Sequence, residues 1–433
     1  MNWATLFLIF LIALFAFFFL GQKVAFSLAL ASLIGFYLIG DTAGLQMVGR
    51  AVWKSAVSFE LTAVPLFMFM GEIVVRSNLS KRFYNGASTW FARIPGGFLQ
   101  TNIISCAIFA AISGSSVATA ASIGGVSYSE LNRRGYDKAM NLGTLGAGGA
   151  LGILIPPSTS FLIYGAITQT SVAKLFIAGI IPGLLMVMIM MAYIVIRVKL
   201  NPKLVPELPP KPTGKELWHG LIDMFPFLIL MGSILGSIYG GYATPTEAAA
   251  LSVVLAAVLT VVYRCFRIRD IFDAAVAAAK GSAMVFFIIF GAQLFTTLIS
   301  KAGISRGLVA WFTELQPTKL VFFLFLCVLY FILGCLMDGT SITYLTVPVL
   351  FPMITAIGFD PLWFGVILIV LTEIAMITPP VGMNLFVLVG ITKGTATFGD
   401  VVRGNLPYVL LYFVLVALLY VFPDLATWLP ASM

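Results

Sequence analysis

Charge is scarce in this chain. Only 10% of its 433 residues are Asp, Glu, Lys or Arg, while 60% are hydrophobic and the mean hydropathy is +1.05. Soluble domains carry about 25% charged residues, so a soluble fold is excluded and a polytopic membrane protein is expected. The net charge of +8 therefore points to basic membrane-flanking loops rather than to nucleic acid. Histidine is nearly absent, with His219 standing alone. Zinc sites and histidine proton relays lose weight, and carboxylate relays stay open. The cysteines, Cys106, Cys265, Cys327 and Cys335, lack the paired spacing of a metal or disulfide frame and read as small buried hydrophobes. No G-x-x-x-x-G-K-[ST] loop is present, and no polar stretch is large enough for an ATPase, so the chain is not itself an ATP-driven motor. No Asp, Glu, His or Cys residues converge near one interface, so an enzyme is not expected. The run from Leu6 to Leu20 has no basic residue before it and no small-residue cleavage pattern after it. It is expected to be a first span rather than a signal peptide.

What is abundant is long apolar sequence. Spans are expected at 4–20, 24–40, 60–76, 139–169, 175–197, 221–240, 246–264, 280–300, 361–392 and 405–422. A crossing needs about 20 apolar residues. Two further stretches, 98–131 and 319–357, are broken in the middle by small polar residues: Ser113-Gly114-Ser115-Ser116 in the first, Gly334 through Asp338-Gly339-Thr340-Ser341 in the second. Each is read as a re-entrant hairpin, because each half is only about 15 residues, short for a full crossing. A pair of spans joined by a loop, or one kinked span, is the alternative.

Basic residues set the orientation. Arg76, Lys81, Arg82 and Arg93 precede the first hairpin, and Arg133, Arg134 and Lys138 follow it. Arg197, Lys199, Lys203, Lys211 and Lys215 mark a proline-rich linker, and Arg264, Arg267 and Arg269 form another cluster. All fall on one side, the cytoplasm, if the two broken stretches are hairpins. Arg50 and Lys54 fall on the other side, where an interfacial helix would hold them.

One phrase occurs twice. Gly152 to Ser158 reads Gly-Ile-Leu-Ile-Pro-Pro-Ser, and Ala375 to Val381 reads Ala-Met-Ile-Thr-Pro-Pro-Val. Proline removes a backbone donor and clashes with the preceding turn. At membrane depth, a broken helix is tolerated only where its freed groups line a cavity or bind something. Other matches keep the same order. Thr89-Trp90-Phe91 pairs with Ala310-Trp311-Phe312, Tyr164-Gly165-Ala166-Ile167-Thr168 with Leu388-Val389-Gly390-Ile391-Thr392, and Gly179-Ile180-Ile181-Pro182 with Gly404-Asn405-Leu406-Pro407. The interval drifts by only a few residues. Each unit holds an odd number of crossings plus a hairpin, with two crossings between units, so the second copy is expected upside down. Inverted repeats with paired helix breaks mark secondary transporters.

The expected organisation is all-α. Residues 1–58 hold N-terminal scaffold spans. Residues 59–200 form the first inverted repeat, with hairpin 98–131 and broken helix 139–169. A cytoplasmic linker covers 201–218 and further scaffold spans cover 219–279. Residues 280–433 form the second repeat, with hairpin 319–357 and broken helix 361–392.

Several phrases together resemble the large membrane subunit of the tripartite ATP-independent periplasmic (TRAP) transporters. They are Ser113-Gly114-Ser115-Ser116-Val117-Ala118-Thr119-Ala120, Gly152 to Ser158, Gly241-Tyr242-Ala243-Thr244-Pro245-Thr246-Glu247-Ala248, Gly334-Cys335-Leu336-Met337-Asp338-Gly339-Thr340 and Thr378-Pro379-Pro380-Val381-Gly382. The resemblance implies an elevator-type transporter of the bacterial inner membrane, Na⁺ coupling and a carboxylate substrate such as a C4-dicarboxylate or sialic acid. It also implies two partners: a periplasmic substrate-binding protein and a separate four-span small membrane subunit. No organic cofactor is implied.

Na⁺ takes oxygen ligands, and broken helices offer free carbonyls. The first Na⁺ site is assigned to Ser113, Ser116, Gly152, Ile155 and Pro157. Symmetry assigns the second to Gly334, Ala375, Thr378 and Val381. Hairpin tips and second half-helices present N-termini that suit a carboxylate. The substrate candidates are Ser115, Ser158, Thr159, Thr340, Ser341 and Asn384. Any one hydroxyl, taken singly, is more often bonded within its own helix or to a neighbour; the two-copy arrangement at helix breaks favours the ion sites. Asp338 and Glu373 are expensive at membrane depth and are either cation or proton handles or hydrogen-bonded structural groups, the latter favoured. Glu247 is expected to brace the start of a span. A stand-alone Na⁺/carboxylate symporter is the nearest alternative; a channel explains the inverted repeat less well.

Overall fold

The computed structural model describes residues 2–40, 46, 48–50, 52–53, 56–206, 208–265 and 267–432, and every regular element among them is helical. Lys54 lies outside the described residues; Arg50 is helical and exposed. The chain begins with α1 (Trp3–Phe19), α2 (Val24–Leu38), α3 (Ala63–Arg76) and the amphipathic α4 (Leu79–Phe91). A helical hairpin follows, made of α5 (Phe98–Ser113) and α6 (Ser116–Arg133). Next come α7 (Lys138–Ala150) and α8 (Thr159–Thr168), which are two halves of one interrupted helix, and the long α9 (Val172–Leu200). Then run α10 (Gly214–Tyr239), α11 (Pro245–Val262), α12 (Ile268–Lys301) and a second amphipathic helix, α13 (Ile304–Leu315). The second hairpin is α14 (Lys319–Gly334) with α15 (Gly339–Ile357). A second interrupted pair, α16 (Pro361–Met376) and α17 (Met383–Ile391), precedes α18 (Phe398–Val421) and α19 (Asp424–Ala431).

Polar N-caps set most of these boundaries, since the first amides of a helix have no partner of their own. Thr213, Thr244 and Thr397 each close a reciprocal capping box, with Glu216, Glu247 and Asp400 respectively. Glu247 therefore braces the start of α11, as the sequence indicated. Asp137, Ser158, Asp338 and Asp360 cap helices with their side chains.

Some boundaries differ from the expected ones, two of them through capping. The Thr213 box starts α10 inside the segment assigned to the linker, 201–218. The division at 280 falls within α12, which begins at Ile268. Its first turns carry Arg269, Asp270 and Asp273, with Ala274 buried behind them, so an apolar-run search misses helix that continues into water. The second hairpin's return helix, α15, has 19 residues and is apolar enough to cross a membrane on length. Asp338 capping draws Gly339, Thr340 and Ser341 into the helix, which lengthens it beyond the expected half-segment. Among the described residues, six helices meet the length and hydropathy of a span: α9, α10, α11, α12, α15 and α18.

The basic clusters meet on one face. Arg82 pairs with Asp223 at 2.8 Å and donates to the Tyr263 carbonyl. Trp90 donates to the Leu217 carbonyl, and the Asp137 amide to the Leu204 carbonyl. The base of the first hairpin is on this face too, where Tyr136 accepts from the Phe98 amide and the Arg134 guanidinium lies over the Phe98 ring. The base of the second hairpin is elsewhere. Lys319 donates to the Gly358 carbonyl, and Tyr164, near the far end of the first interrupted helix, donates to the Pro361 carbonyl.

Small residues permit the closest crossings. α7 meets α18 where a Cβ on Gly143 or Gly404 would strike the opposing backbone. Such close backbone approach is the usual packing device between helices in a membrane.

Candidate functional site

The two hairpin turns and the two helix breaks converge in the middle of the molecule. In the first turn, Gly114 takes a left-handed conformation at φ 56° that favours glycine. A Cβ there would lie 3.2 Å from the Pro157 carbonyl oxygen, so the turn sits against the first break. Ser115 caps α6 by accepting from the Ala118 amide. Ser113 shares a hydrogen bond of 2.7 Å with Thr119, and Thr119 donates to the Ser115 carbonyl at 2.8 Å. Thr119 was not singled out from the sequence; its signal was its position one turn after Ser115 and Ser116 on the same helix.

Across the turn, α7 gives way to a short 3-10 segment, Leu151–Ile153, before Pro156-Pro157, whose peptide bond is cis. Gly152 touches the hairpin so closely that a Cβ would fall 2.6 Å from the Ser115 carbonyl oxygen and 2.8 Å from the Ser116 nitrogen. Thr159, at the start of α8, donates to the Gly114 carbonyl at 3.0 Å. Ser113, Ser116, Gly152 and Pro157 are thus neighbours through the turn. The Ile155 side chain packs instead on Gly183 of α9, and only its backbone belongs to the break.

The second turn and the second break are also in contact. Gly334 abuts Ala375 so tightly that a Cβ would lie 2.9 Å from the Ala375 Cα and collide with its Cβ. Cys335 donates to the Pro379 carbonyl, and Pro379-Pro380 is also cis. Thr378 donates back to the Ile374 carbonyl at 2.6 Å. Val381 is half-buried within the break. The Asp338 carboxylate accepts from both the amide and the hydroxyl of Ser341, so it caps α15, as a structural group would.

Between these pieces lies a cavity of about 230 Å³. Its polar lining is Glu72, Ser113, Ser115, Ser116, Thr159, Ser160, Asp338 and Thr340, and no Lys or Arg contributes. Of the substrate candidates, Ser115, Thr159 and Thr340 line it. The other three do not. Ser158 is buried and donates to the Ile153 carbonyl at 2.5 Å while capping α8. Ser341 faces a neighbouring cavity. Asn384 is buried and donates to Ser116 Oγ at 2.7 Å and to the Gly146 carbonyl at 3.3 Å, joining α17 to the first hairpin. Glu72 was not foreseen, because it reads as a solvated residue at the end of a span. It comes from α3, where Arg76 pairs with it at 3.0 Å.

Glu373 is fully buried in α16, and neither carboxylate oxygen has a hydrogen-bond partner of good geometry; the Tyr412 hydroxyl and Leu154 amide are the polar groups acting on it. It lies outside the cavity lining. Among the described residues, no three His, Cys, Asp or Glu side chains cluster as a metal site would require. The arrangement offers hydroxyl and main-chain oxygens, helix N-termini capped by Ser115 and Asp338, and a central chamber.

These features define a multi-pass helical membrane protein of transporter architecture. The fold resembles the Alcanivorax borkumensis YdaH transporter, with a TM-score of 0.65 at 17% identity, covering 89% of this chain and 90% of that one. The chain belongs to the family described as tripartite ATP-independent periplasmic transporter, DctM component, whose model matches residues 11–425. It is 34% identical over 385 residues to the C4-dicarboxylate TRAP transporter large permease protein DctM of Pseudomonas aeruginosa, covering 88% of each chain. It is 33% identical over 408 residues to the 2,3-diketo-L-gulonate TRAP transporter large permease protein YiaN of Escherichia coli, covering 94% of each. These relatives are transporter permeases, not enzymes.

Proposed function

We propose that this chain is the large membrane subunit of a Na⁺-coupled importer of an organic acid in the bacterial inner membrane. The acid is a C4-dicarboxylate, a sugar acid or a sialic acid, delivered by a periplasmic binding protein to a complex that includes a four-span small membrane subunit. The observation that carries this reading is the central cavity, built from both hairpin turns and the first helix break, with Met376 and Met383 flanking the second. Its wall is largely apolar, its polar groups are hydroxyls and two carboxylates, and no Lys or Arg lines it. Bound Na⁺ supplies the positive charge that a carboxylate needs there.

The Na⁺ ligands in this reading are Ser113, Ser116, Gly152, Ile155 and Pro157 at one site and Gly334, Ala375, Thr378 and Val381 at the other. The two halves act as an inverted repeat that moves as an elevator against the scaffold. Supporting this, Trp90 and Trp311 both lie near the ends of amphipathic helices that precede a hairpin. The bases of the two hairpins also take up separate faces of the molecule.

Reconstitution tests the reading. In proteoliposomes, uptake of low-micromolar acid is expected only when the small subunit and the binding protein accompany this chain. Full transport by the chain alone would identify it as a stand-alone symporter. A finer measurement separates side-chain ligands from backbone ones. Ser116→Ala and Thr378→Val should each raise the Na⁺ concentration for half-maximal uptake, since a lost polar partner is worth about 1–3 kcal/mol, or roughly 5- to 150-fold in affinity. Ala375→Gly should shift it little, because only a carbonyl serves there. Unmoved activation curves in correctly folded Ser116→Ala and Thr378→Val would leave ligation to the backbone.

A further inference from the structure

Asp338 separates the central cavity from a second one of about 390 Å³. The second cavity is walled by α12, by the turn between α1 and α2, and by the tip of the second hairpin. Its polar lining is Gln22, Lys23, Lys280, Asp338 and Ser341. Two lysines here contrast with none in the central cavity.

Neither lysine has a carboxylate within ion-pair distance among the described residues. The one carboxylate in the lining, Asp338, is engaged by the amide and hydroxyl of Ser341. Lys280 sits where α12 turns apolar, beside Met284, Phe287 and Ile288, which share the lining. An ionised side chain at such a depth needs water or a counter-anion. Both lysines are exposed on the surface of the chain, so neither is sealed inside the protein. Their side of the membrane follows from the helix directions: α12 rises from the basic cluster of Arg264, Arg267 and Arg269, and Lys23 immediately precedes the end of α2 that shares this cavity with it. That side is the cytoplasm. The N-terminus of α15 adds positive partial charge at the boundary between the chambers.

We propose that Lys23 and Lys280 form a second anion subsite, on the cytoplasmic side of Asp338, which takes the carboxylate of the transported acid as it leaves the central cavity. This rests on the transport reading above. The two lysines attract the anion across the Asp338 barrier and so speed release, while binding from the periplasmic side does not involve them.

The test uses the complete complex in phosphatidylcholine vesicles, with radiolabelled succinate, N-acetylneuraminate and 2,3-diketogulonate as probes. For whichever acid the wild type moves, Lys280→Gln and Lys23→Gln should each lower turnover about 5- to 10-fold, the scale of a lost charge-assisted contact. The external KM and the Na⁺ activation curve should stay unchanged. Lys280→Arg should retain most of the turnover. Raising internal KCl to about 1 M, where screening acts within ~3 Å, should slow the wild type toward Lys280→Gln and leave that variant unaffected. Unchanged turnover in both glutamine variants overturns the proposal, as does equal damage from Lys280→Arg and Lys280→Gln. A defect seen only in vesicles containing phosphatidylglycerol also overturns it, by assigning the lysines to a lipid headgroup. Failure of the wild type to move any of the three acids overturns the transport reading and this inference with it.

Discussion

Uptake by the reconstituted complex is expected to stop when external Na⁺ is replaced by choline or K⁺ at a fixed pH gradient. The reason is charge balance in a poorly solvated chamber. The central cavity is lined by two carboxylates, Glu72 and Asp338, and by no Lys or Arg. Glu72 is held by Arg76 at 3.0 Å, and Asp338 is capped by Ser341. A carboxylate entering this space adds negative charge where the fixed positive charge is only the partial charge of helix ends, and such an ion is costly at membrane depth unless compensated. On the proposed reading, mobile cations accompany it. The available ligands are neutral oxygens, the hydroxyls of Ser113, Ser116 and Thr378 and the carbonyls freed at the two breaks, and these suit Na⁺ rather than a proton. Undiminished uptake in choline would remove Na⁺ from the mechanism and turn attention to Glu373, the buried carboxyl that lies outside the cavity.

Gly152→Ala should abolish transport and lower the thermal stability of the purified chain. The added methyl would lie 2.6 Å from the Ser115 carbonyl oxygen, 2.7 Å from the Ser115 carbonyl carbon and 2.8 Å from the Ser116 nitrogen. All three atoms are backbone, so no side-chain rearrangement relieves the clash. Overpacking of this kind costs about 1–3 kcal/mol, occasionally more, and it pushes apart the turn and the break that together form the site. Gly334→Ala provides the contrast. Its methyl meets the Ala375 side chain and comes 2.9 Å from the Ala375 Cα. Ala375→Gly should therefore restore part of the activity lost in Gly334→Ala, whereas no substitution at Ser115 or Ser116 should rescue Gly152→Ala. Uptake and unfolding temperature measured on the four variants decide the matter. Wild-type behaviour of Gly152→Ala would show that the hairpin and the break are not held in contact.

Much of the architecture was legible in the chain because it depends on local chemistry. The double prolines at 156–157 and 379–380 announced the helix breaks, since proline cannot donate to the turn before it. The Ser-Gly-Ser-Ser phrase at 113–116 announced a turn, and the structure puts left-handed Gly114 there. The capping box at Thr244 and Glu247 was readable as a span start. The amphipathic helices α4 and α13 were not counted as spans, and their cores of Phe83 and Ala87, and of Ile304 and Leu308, are buried on one face only. Helix extent was less legible at the water boundary: a capping box starts α10 early, and α12 begins with a charged turn that hydropathy does not register.

The site residues divide along a similar line. Ser115, Thr159 and Thr340 were picked as polar atoms near predicted breaks, and they line the central cavity. Ser158 was picked on the same grounds, yet its hydroxyl turns back to the Ile153 carbonyl. Hydroxyls in helices have that option at every position, and only the local rotamer and the packing around it choose.

The sequence alone determined the class of the protein, its helix breaks, its turns and the absence of fixed cations at the breaks, because composition, proline geometry and capping act over a few residues. Tertiary structure decided which of those elements meet. It brought Asn384 against Ser116, Gly152 against the backbone of the first turn, and Glu72 and Lys280 from the distant helices α3 and α12 toward the hairpin tips. Those contacts join residues far apart in the chain. They arise from close packing of whole helices, whose relative placement no local run of residues specifies.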